Sequence, residues 1–595
     1  MKDFDRRQLL RGAGLLGGGL SLSALTPSWA RSATPGVAPD MTTLAGPDIK
    51  LTIAHRMLPV DGRAGHAVTI NGTVPGPLLR LKEGQTVRFA VENQLDEDTS
   101  IHWHGVLVPQ RFDGVPGVSF PGIRPRETFV YEFPIVQSGT YWYHSHSGLQ
   151  EPMGHYAPII IEPAGPDPVA SDREHVIVLS DFSRLHPHMI LQRMKQQAGL
   201  FNDQKETVAG LLAGRDQTLA ERAEWAKMLM DPTDISDVTG SVFTYLVNGH
   251  GPRDNWTGLF KPGERVRLRF INAAAQTIFN IRIPGLRLTV VAADGQNVRP
   301  VEVDELQIAN AETYDVIVQP TEDKAFTLVA EAVDRSGMAR ATLAPRPGMT
   351  AAVPALRARP LGTMKDMGMD MSALNMGGAK ASAAPATPPG MAPPRPRGSD
   401  VMGDMGGMKM SMRDPQNAPQ VKMGPGVQTI APIVLDRTGE PGQGLESVGH
   451  RVLVYQDLAA LEPNPDRRAP SRAMDIHLTG NMERFIWGFD GEKYSDRTTR
   501  PYPFRTGERV RVTLINDTMM AHPIHLHGHF FELVHGPAGH RPRKHTVNVL
   551  PGGKVTFDLT ADAPGDWAFH CHMLYHMHAG MFRVVTVRPL AGEAA

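Results

Sequence analysis

Three stretches of the 595-residue chain repeat one string, Gly-x-x-Val-Arg-x-x-x-x-Asn, at 84–93, 263–272 and 507–516. Each follows a turn pair, Asn71-Gly72, Asn248-Gly249 or Asp490-Gly491, the dipeptides that best favour a tight hairpin. Val87, Phe89 and Val91, and again Val510, Val512 and Leu514, alternate with polar residues, the period of a strand with one buried face. Repeats this far apart exceed the solenoid range and mark duplicated domains. With short strands separated by Gly and Pro turns, they predict three all-β sandwich or barrel domains.

Gly84, Gly263 and Gly507 stand 179 and 244 residues apart. The excess falls on 346–426, rich in Pro, Ala, Gly and Met, a composition that buries too little apolar surface to offset its ordering entropy and so predicts a flexible linker. Residues 187–237 contain helix-forming runs such as Leu219 to Met228, a helical excursion within the second domain. The expected domains are 45–165, 170–345 and 427–595. Arg6-Arg7, the apolar stretch from Gly12 to Leu25 and Ser28-Trp29-Ala30 have the order of an export signal over 1–30. The arginine pair points to the twin-arginine route, hence to a folded, periplasmic product. No later run of about 18 apolar residues predicts a membrane span. The 61 Lys+Arg against 62 Asp+Glu leave no basic excess for nucleic acid. One cysteine, Cys571, excludes an intrachain disulfide framework and Cys-rich zinc or iron–sulfur sites.

Ten of the 24 histidines fall in four clusters: His102-Trp-His104, His144-Ser-His146, His522-Pro-Ile-His525-Leu-His527, and His570-Cys571-His572 with His576 and Met581 beyond. Residues i and i+2 of a strand share a face, so each His-x-His aims two imidazoles one way, and Cys571 points opposite to His570 and His572. His522, Cys571 and His576 with a weak sulfur from Met581 make the His₂Cys set of a blue copper site, and the other eight imidazoles suit a multinuclear copper centre. Zinc, the rival, would close a tetrahedron of about four ligands and leave the remaining pairs unexplained. The other fourteen histidines, His55, His66, His186 and His188 among them, carry no such pattern and read as surface or structural.

These four motifs, with Trp142-Tyr-His144-Ser-His146 and the Gly and His529 that end the third cluster, resemble those of the multicopper oxidases over essentially the whole chain beyond the leader. The Met-rich linker and the ending from Cys571 to Met581 are most similar to the bacterial copper-resistance branch. The resemblance implies three cupredoxin-like Greek-key β-sandwiches and four copper ions. It assigns His522, Cys571, His576 and Met581 to a type 1 copper and His102 and His525 to a type 2 copper. His104, His144 and His572 would bind one type 3 copper, and His146, His527 and His570 the other. Domain two would bind none. Substrate electrons would enter at the type 1 copper, pass through Cys571 to His570 and His572, and reduce dioxygen to water. Asp113, nine residues beyond His104, occupies the place of the family's relay acid, although Asp113-Gly114 also reads as a plain turn.

Twelve of the 29 methionines lie between Met364 and Met423, notably Met402, Met405, Met408, Met410 and Met412. Thioether sulfur selects Cu(I), and a Pro/Gly linker has no core for methionine to fill, so labile Cu(I) capture is expected there. Met573, Met577 and Met519-Met520 add sulfur near the expected type 1 copper. Oxidation of Cu(I) follows as the expected activity, with phenol or aromatic-amine oxidation and periplasmic copper sequestration as alternatives. Some family members carry an acid directly after the type 1 histidine; Met577 stands there, which argues against acid-assisted phenol oxidation at this spot and favours a sulfur route for Cu(I). A monomer is expected, since domains one and three of one chain complete the centre. A copper-handling protein partner is left open by the near-neutral charge.

Overall fold

The computed structural model describes residues 34, 36, 37, 41–214, 216–227, 230–369 and 412–589. The leader, and Met402, Met405, Met408 and Met410, lie outside these residues. Six sheets form three pairs. The first pair draws its strands from Thr43–Ala45 through Tyr156–Glu162, the second from Arg173–Ser183 through Met338–Ala344, and the third from Leu435–Asp436 through Phe582–Arg588. In each domain the strand ending in the repeat Asn runs parallel to an earlier strand of its sheet. Thr86–Asn93 lies beside Asp48–Val60, Val266–Asn272 beside Arg173–Ser183, and Arg509–Asn516 beside Arg472–Asn481. The β architecture expected from the repeats is therefore present three times.

The repeat has a mechanical cause. Asn71, Asn248 and Asp490 take positive φ (53°, 51° and 53°), and their side-chain oxygens accept from Thr52 N, Val178 N and His477 N. Each hairpin is thereby tied to the strand before it. The repeat asparagines are fully buried and do one job in three places. Asn93 Nδ2 donates to the carbonyls of Glu97 and Ile123, Asn272 Nδ2 to those of Thr277 and Ile308, and Asn516 Nδ2 to those of Met520 and Val549. An unpaired buried amide costs about 1–3 kcal/mol, so Asn fixes the loop that follows. In domains one and three that loop leads to His102 and His522.

Alternation fails in one repeat strand. Val266–Asn272 is buried along its whole length because domain two's sheet lies against domain one. Arg267 pairs with Asp315 (2.6 Å) and Asp167 (2.7 Å), and Arg269 with Asp315 (3.0 Å) and Glu174 (2.9 Å). Arg269 Nη1 also reaches Thr140 Oγ1 of domain one at 3.0 Å. Domains two and three share a continuous apolar core and are joined by the buried Lys544, 3.1 Å from both Asp294 and Glu312.

The excursion within domain two folds as helices Pro187–Gln196, Val208–Leu212 and Leu219–Lys227. The described ends of the expected linker are packed rather than free. Arg357 binds both Glu305 and Glu331 through its guanidinium, and two fully buried carboxylates require such a cation. Farther on, Asp366 pairs with Arg437 at 2.7 Å. Among the described residues no helix is long and apolar enough to cross a membrane.

Candidate metal centre

The strand His102–His104 pairs antiparallel with Gly139–His144, setting His102 opposite His144. In domain three His522–Leu526 pairs with Gly565–Cys571, setting His525 opposite His570. Trp103 and Tyr143 point into the core of domain one, so the flanking imidazoles face away from it, toward domain three. There the rings interleave: His102 stacks on His527 and His104 on His525, both at 3.8 Å between centroids. Ligand atoms of His102, His525 and His527 lie within 4.8 Å of one another, as do those of His104, His144 and His572, and those of His146, His527 and His570.

The orientation of this cage is fixed from behind. His102 Nδ1 donates to the Asp113 carbonyl (2.7 Å), His525 Nδ1 to the His545 carbonyl (2.7 Å) and His570 Nδ1 to the Cys571 carbonyl (3.0 Å). Carboxylates hold two more: Asp113 Oδ2 lies 2.9 Å from His527 Nδ1, and Glu151 Oε2 lies 2.7 Å from His144 Nδ1. A proton held at Nδ1 leaves the Nε2 lone pair pointing inward. The Nε2 atoms of His102, His104, His144, His146, His525 and His572 have no hydrogen-bond partner, and those of His527 and His570 face each other at 3.1 Å. So many buried acceptors without donors would be costly in a bare protein; they fit metal ions bound by imidazole.

A second group lies on the other side of the Cys571 strand. Cys571 Sγ is 3.7 Å from His522 Nδ1 and 3.9 Å from His576 Nδ1, and those nitrogens are 3.2 Å apart. Here the Nε2 atoms are anchored: His522 donates to Thr518 Oγ1 and His576 to Asp237 Oδ2, each at 2.8 Å. Trp487 stacks on His576 at 4.0 Å. Met581 is fully buried, and its carbonyl accepts from Cys571 N at 3.1 Å. Burial pushes the Cys571 thiol far up, so a bound cation is what would hold it as thiolate. The opposed faces of Cys571 and its neighbours, expected from strand geometry, are those found.

Burial first, then neighbouring imidazoles, hold His104, His144, His146, His525, His527 and His572 well below the ordinary histidine value, and burial takes His570 to about 4. In the metal-free chain these rings stay neutral while the unfolded chain protonates near pH 6.5. The unfolded state then binds more protons, so stability present above pH 6.5 is lost as pH falls, for His570 across the window from 6.5 to about 4. Each such histidine contributes ~1.4 kcal/mol per pH unit. Denaturant midpoints of the metal-free protein should therefore drop steeply between pH 7 and 5; a flat profile would contradict burial of the cage.

Several participants gave no signal in the sequence. Asp237, from the end of the helical excursion, puts an acid on His576 Nε2 from domain two at 2.8 Å, whereas the position directly after His576 is Met577. Glu151 is buried against His144, and burial with nearby Asp181 holds its carboxyl well above the usual range. Its conversion to Gln should lower metal retention by the cage about 10–100-fold, read by copper count after dialysis against a chelator. His545, expected to be surface or structural, is fully buried with a ligand atom within 4.8 Å of those of His104 and His525. Asp113 lies in a tight turn and touches both His102 and His527. Gly114 has a φ of 84°, and a β-carbon there would lie 1.8 Å from the Ile101 carbonyl, so the turn itself presses Asp113 onto the histidines. Met573 is buried and Met577 half-buried on the helix Leu574–His578 and its N-terminal flank. Met412 is half-buried and, with Met230, Met369 and Met482, packs against a cluster of Trp225, Met367 and Met519.

Multicopper oxidase family models match residues 52–166, 174–353 and 467–591. The chain is 48% identical to Copper resistance protein A of Escherichia coli, over 98% of this chain and 99% of that protein. It is likewise 48% identical to the Copper resistance protein A homolog of Pseudomonas syringae pv. tomato, over 94% and 95%. The laccase of Botrytis aclada superposes with a TM-score of 0.57 at 21% identity, covering 94% of this chain and 92% of that one. Three matched segments spanning most of the chain, and a cage and sulfur site whose donors suit copper, agree: the chain belongs to the multicopper oxidase family, an oxidoreductase that uses copper cofactors and oxygen as acceptor.

Proposed function

We propose that this protein is a periplasmic cuprous oxidase of copper resistance, oxidising Cu(I) to Cu(II) while reducing dioxygen to water. The similarity to copper resistance proteins supports the setting, and the paired arginines of the leader support export. The domain limits are those of the sequence, 45–165, 170–345 and 427–595 with a leader over 1–30 and a linker over 346–426, and the working form is a monomer. The single observation that carries the substrate is the thioether cluster. Met367 and Met519 are buried with Trp225, ringed by Met230, Met369, Met412 and Met482, and Met519 follows Thr518, which holds His522. Soft sulfur gathered one residue from a support of the Cys571 site favours Cu(I) over harder ions. The Met402 to Met410 string would extend this capture.

When bound, four coppers supply one-electron acceptance at a type 1 site (His522, Cys571, His576, Met581) and four-electron reduction of dioxygen at a type 2 site (His102, His525) and a type 3 pair (His104, His144, His572; His146, His527, His570). The chain does the rest. His570-Cys571-His572 links the two sites covalently, with the Cys571 sulfur on one side and both imidazoles on the other. Asp113 and Glu151 hold His527 and His144 in the tautomer that offers Nε2, and Asp113 would pass protons, a role its buried contacts with His102 and His527 support. Burial of the cage excludes bulk water from the reacting space.

Oxygen uptake with buffered Cu(I) tests this. Turnover is expected, and its absence in fully copper-loaded protein defeats the proposal. Met367→Ala with Met519→Ala should raise KM for Cu(I) about tenfold and leave turnover of an aromatic amine unchanged. A laccase-like reading is favoured by one contact, Asp237 on His576 Nε2, which suits donors that lose a proton with an electron; aromatic-amine turnover that survives the methionine changes and needs no added copper would support it.

A further inference from the structure

Two histidine pairs stand outside both groups above. His55 lies in the strand Asp48–Val60 and His66 in Arg63–Ile70, with Met57 directly opposite His66. Opposed residues, and residues two apart on one strand, share a face, so His55, Met57 and His66 do. The imidazoles of His55 and His66 stack at 4.8 Å and 24°. All three residues are exposed. His186 and His188 open the helix Pro187–Gln196, stacked at 5.4 Å and 16°. They too are exposed, and the next residue, Met189, is 45% exposed.

The fold brings the two pairs to one place. Arg184 Nη2 donates to the Val60 carbonyl at the hairpin tip at 2.7 Å. Gly65 approaches Phe182 so closely that a β-carbon would lie 2.6 Å from its ring, and Val60, Phe182 and Leu246 make a small core of their own. His66 follows Gly65, and His186 comes two residues after Arg184. The pairs also sense each other: partial burial first, then His188 and His66, and last His55, lower the affinity of His186 for a proton, with Glu97 opposing. Four exposed imidazoles from two domains are gathered here with two exposed thioethers and a carboxylate nearby, and one of them, His186, also caps its helix by accepting from His188 N. Imidazole binds Cu(II) well, and thioether at the rim biases a site toward copper over harder cations.

We propose that His55, His66, His186 and His188 form a surface site for one Cu(II) ion, bordered by Met57 and Met189 and separate from the enzyme's own copper centre. Each pair supplies two nitrogens. Exposed side chains can rotate freely enough to bring them about 2 Å from a shared ion, the usual metal–imidazole distance. The site would hold the product ion of the proposed oxidation, yet its existence does not depend on that activity, because it is read by binding alone.

The test titrates copper-replete protein with glycine-buffered Cu(II) and follows the added ion by continuous-wave and pulsed electron paramagnetic resonance. One further Cu(II) per chain with imidazole nitrogen couplings is expected. His55→Asn with His66→Asn, and separately His186→Asn with His188→Asn, should each weaken it at least about tenfold, while the blue colour and the rate of oxygen uptake stay as in the parent. The proposal is overturned if no further ion binds, if either double variant binds it as the parent does, or if each pair takes its own ion independently. A protein inactive toward Cu(I) that still shows this ion would refute the oxidase reading and leave the site standing.

Discussion

Cys571→Ser should leave a colourless protein whose oxygen uptake, with Cu(I) or an aromatic amine, falls to background, a loss of more than about 10³-fold. The sulfur is the only thiol in the chain, and it sits at 3.7 and 3.9 Å from the two nitrogens that share its site. Serine preserves the strand and the positions of His570 and His572 but offers a hard, protonated oxygen where a soft anion is needed. The cage should keep its metal, so the copper count falls by about one while the activity disappears. Uptake near the parental rate would show that electrons reach the cage by another route. The same variant separates enzyme from sponge: cells relying on sequestration keep their copper tolerance, whereas cells relying on oxidation lose it.

Asp113→Asn should lower turnover about 10–100-fold with the blue colour intact. Asp113 touches His527 Nδ1 through Oδ2 at 2.9 Å and His102 Nδ1 through its carbonyl at 2.7 Å. Asparagine keeps the backbone contact and the shape of the turn, and removes the charge that holds the His527 ring. Because the Cys571 site lies on the opposite face of its strand, its spectrum should not move. If Asp113 also carries protons, the deficit deepens as pH rises, when protons must be gathered from a more dilute supply; a deficit constant from pH 5 to 8 would restrict the residue to orienting imidazoles.

What the sequence disclosed, and what it hid, divides by distance along the chain. The His-x-His pairs and the His570–His572 tripeptide are legible because strand geometry acts over three residues. The repeat asparagines are legible because one buried amide solves the same loop problem in each domain. Asp237 meets His576 from 339 residues away, and no local pattern can announce such a pair. Glu151 lies five residues beyond His146 but reads as an ordinary surface acid until the fold buries it on His144. The linker composition hid the demand of Glu305 and Glu331 for a partner, which Arg357 meets. His55 and His186 belong to no sequence motif, since the docking of a hairpin on a distant helix is what assembles them.

The cage draws half of its rings from residues 102–146 and half from 525–572, on sandwiches that a third one separates in the chain. Ions seated there would act as rivets between the first and last parts of the polypeptide. Metal uptake is then a gauge of whether those parts have met, and under the export proposed above the filling of its own cage would be the chain's final inspection.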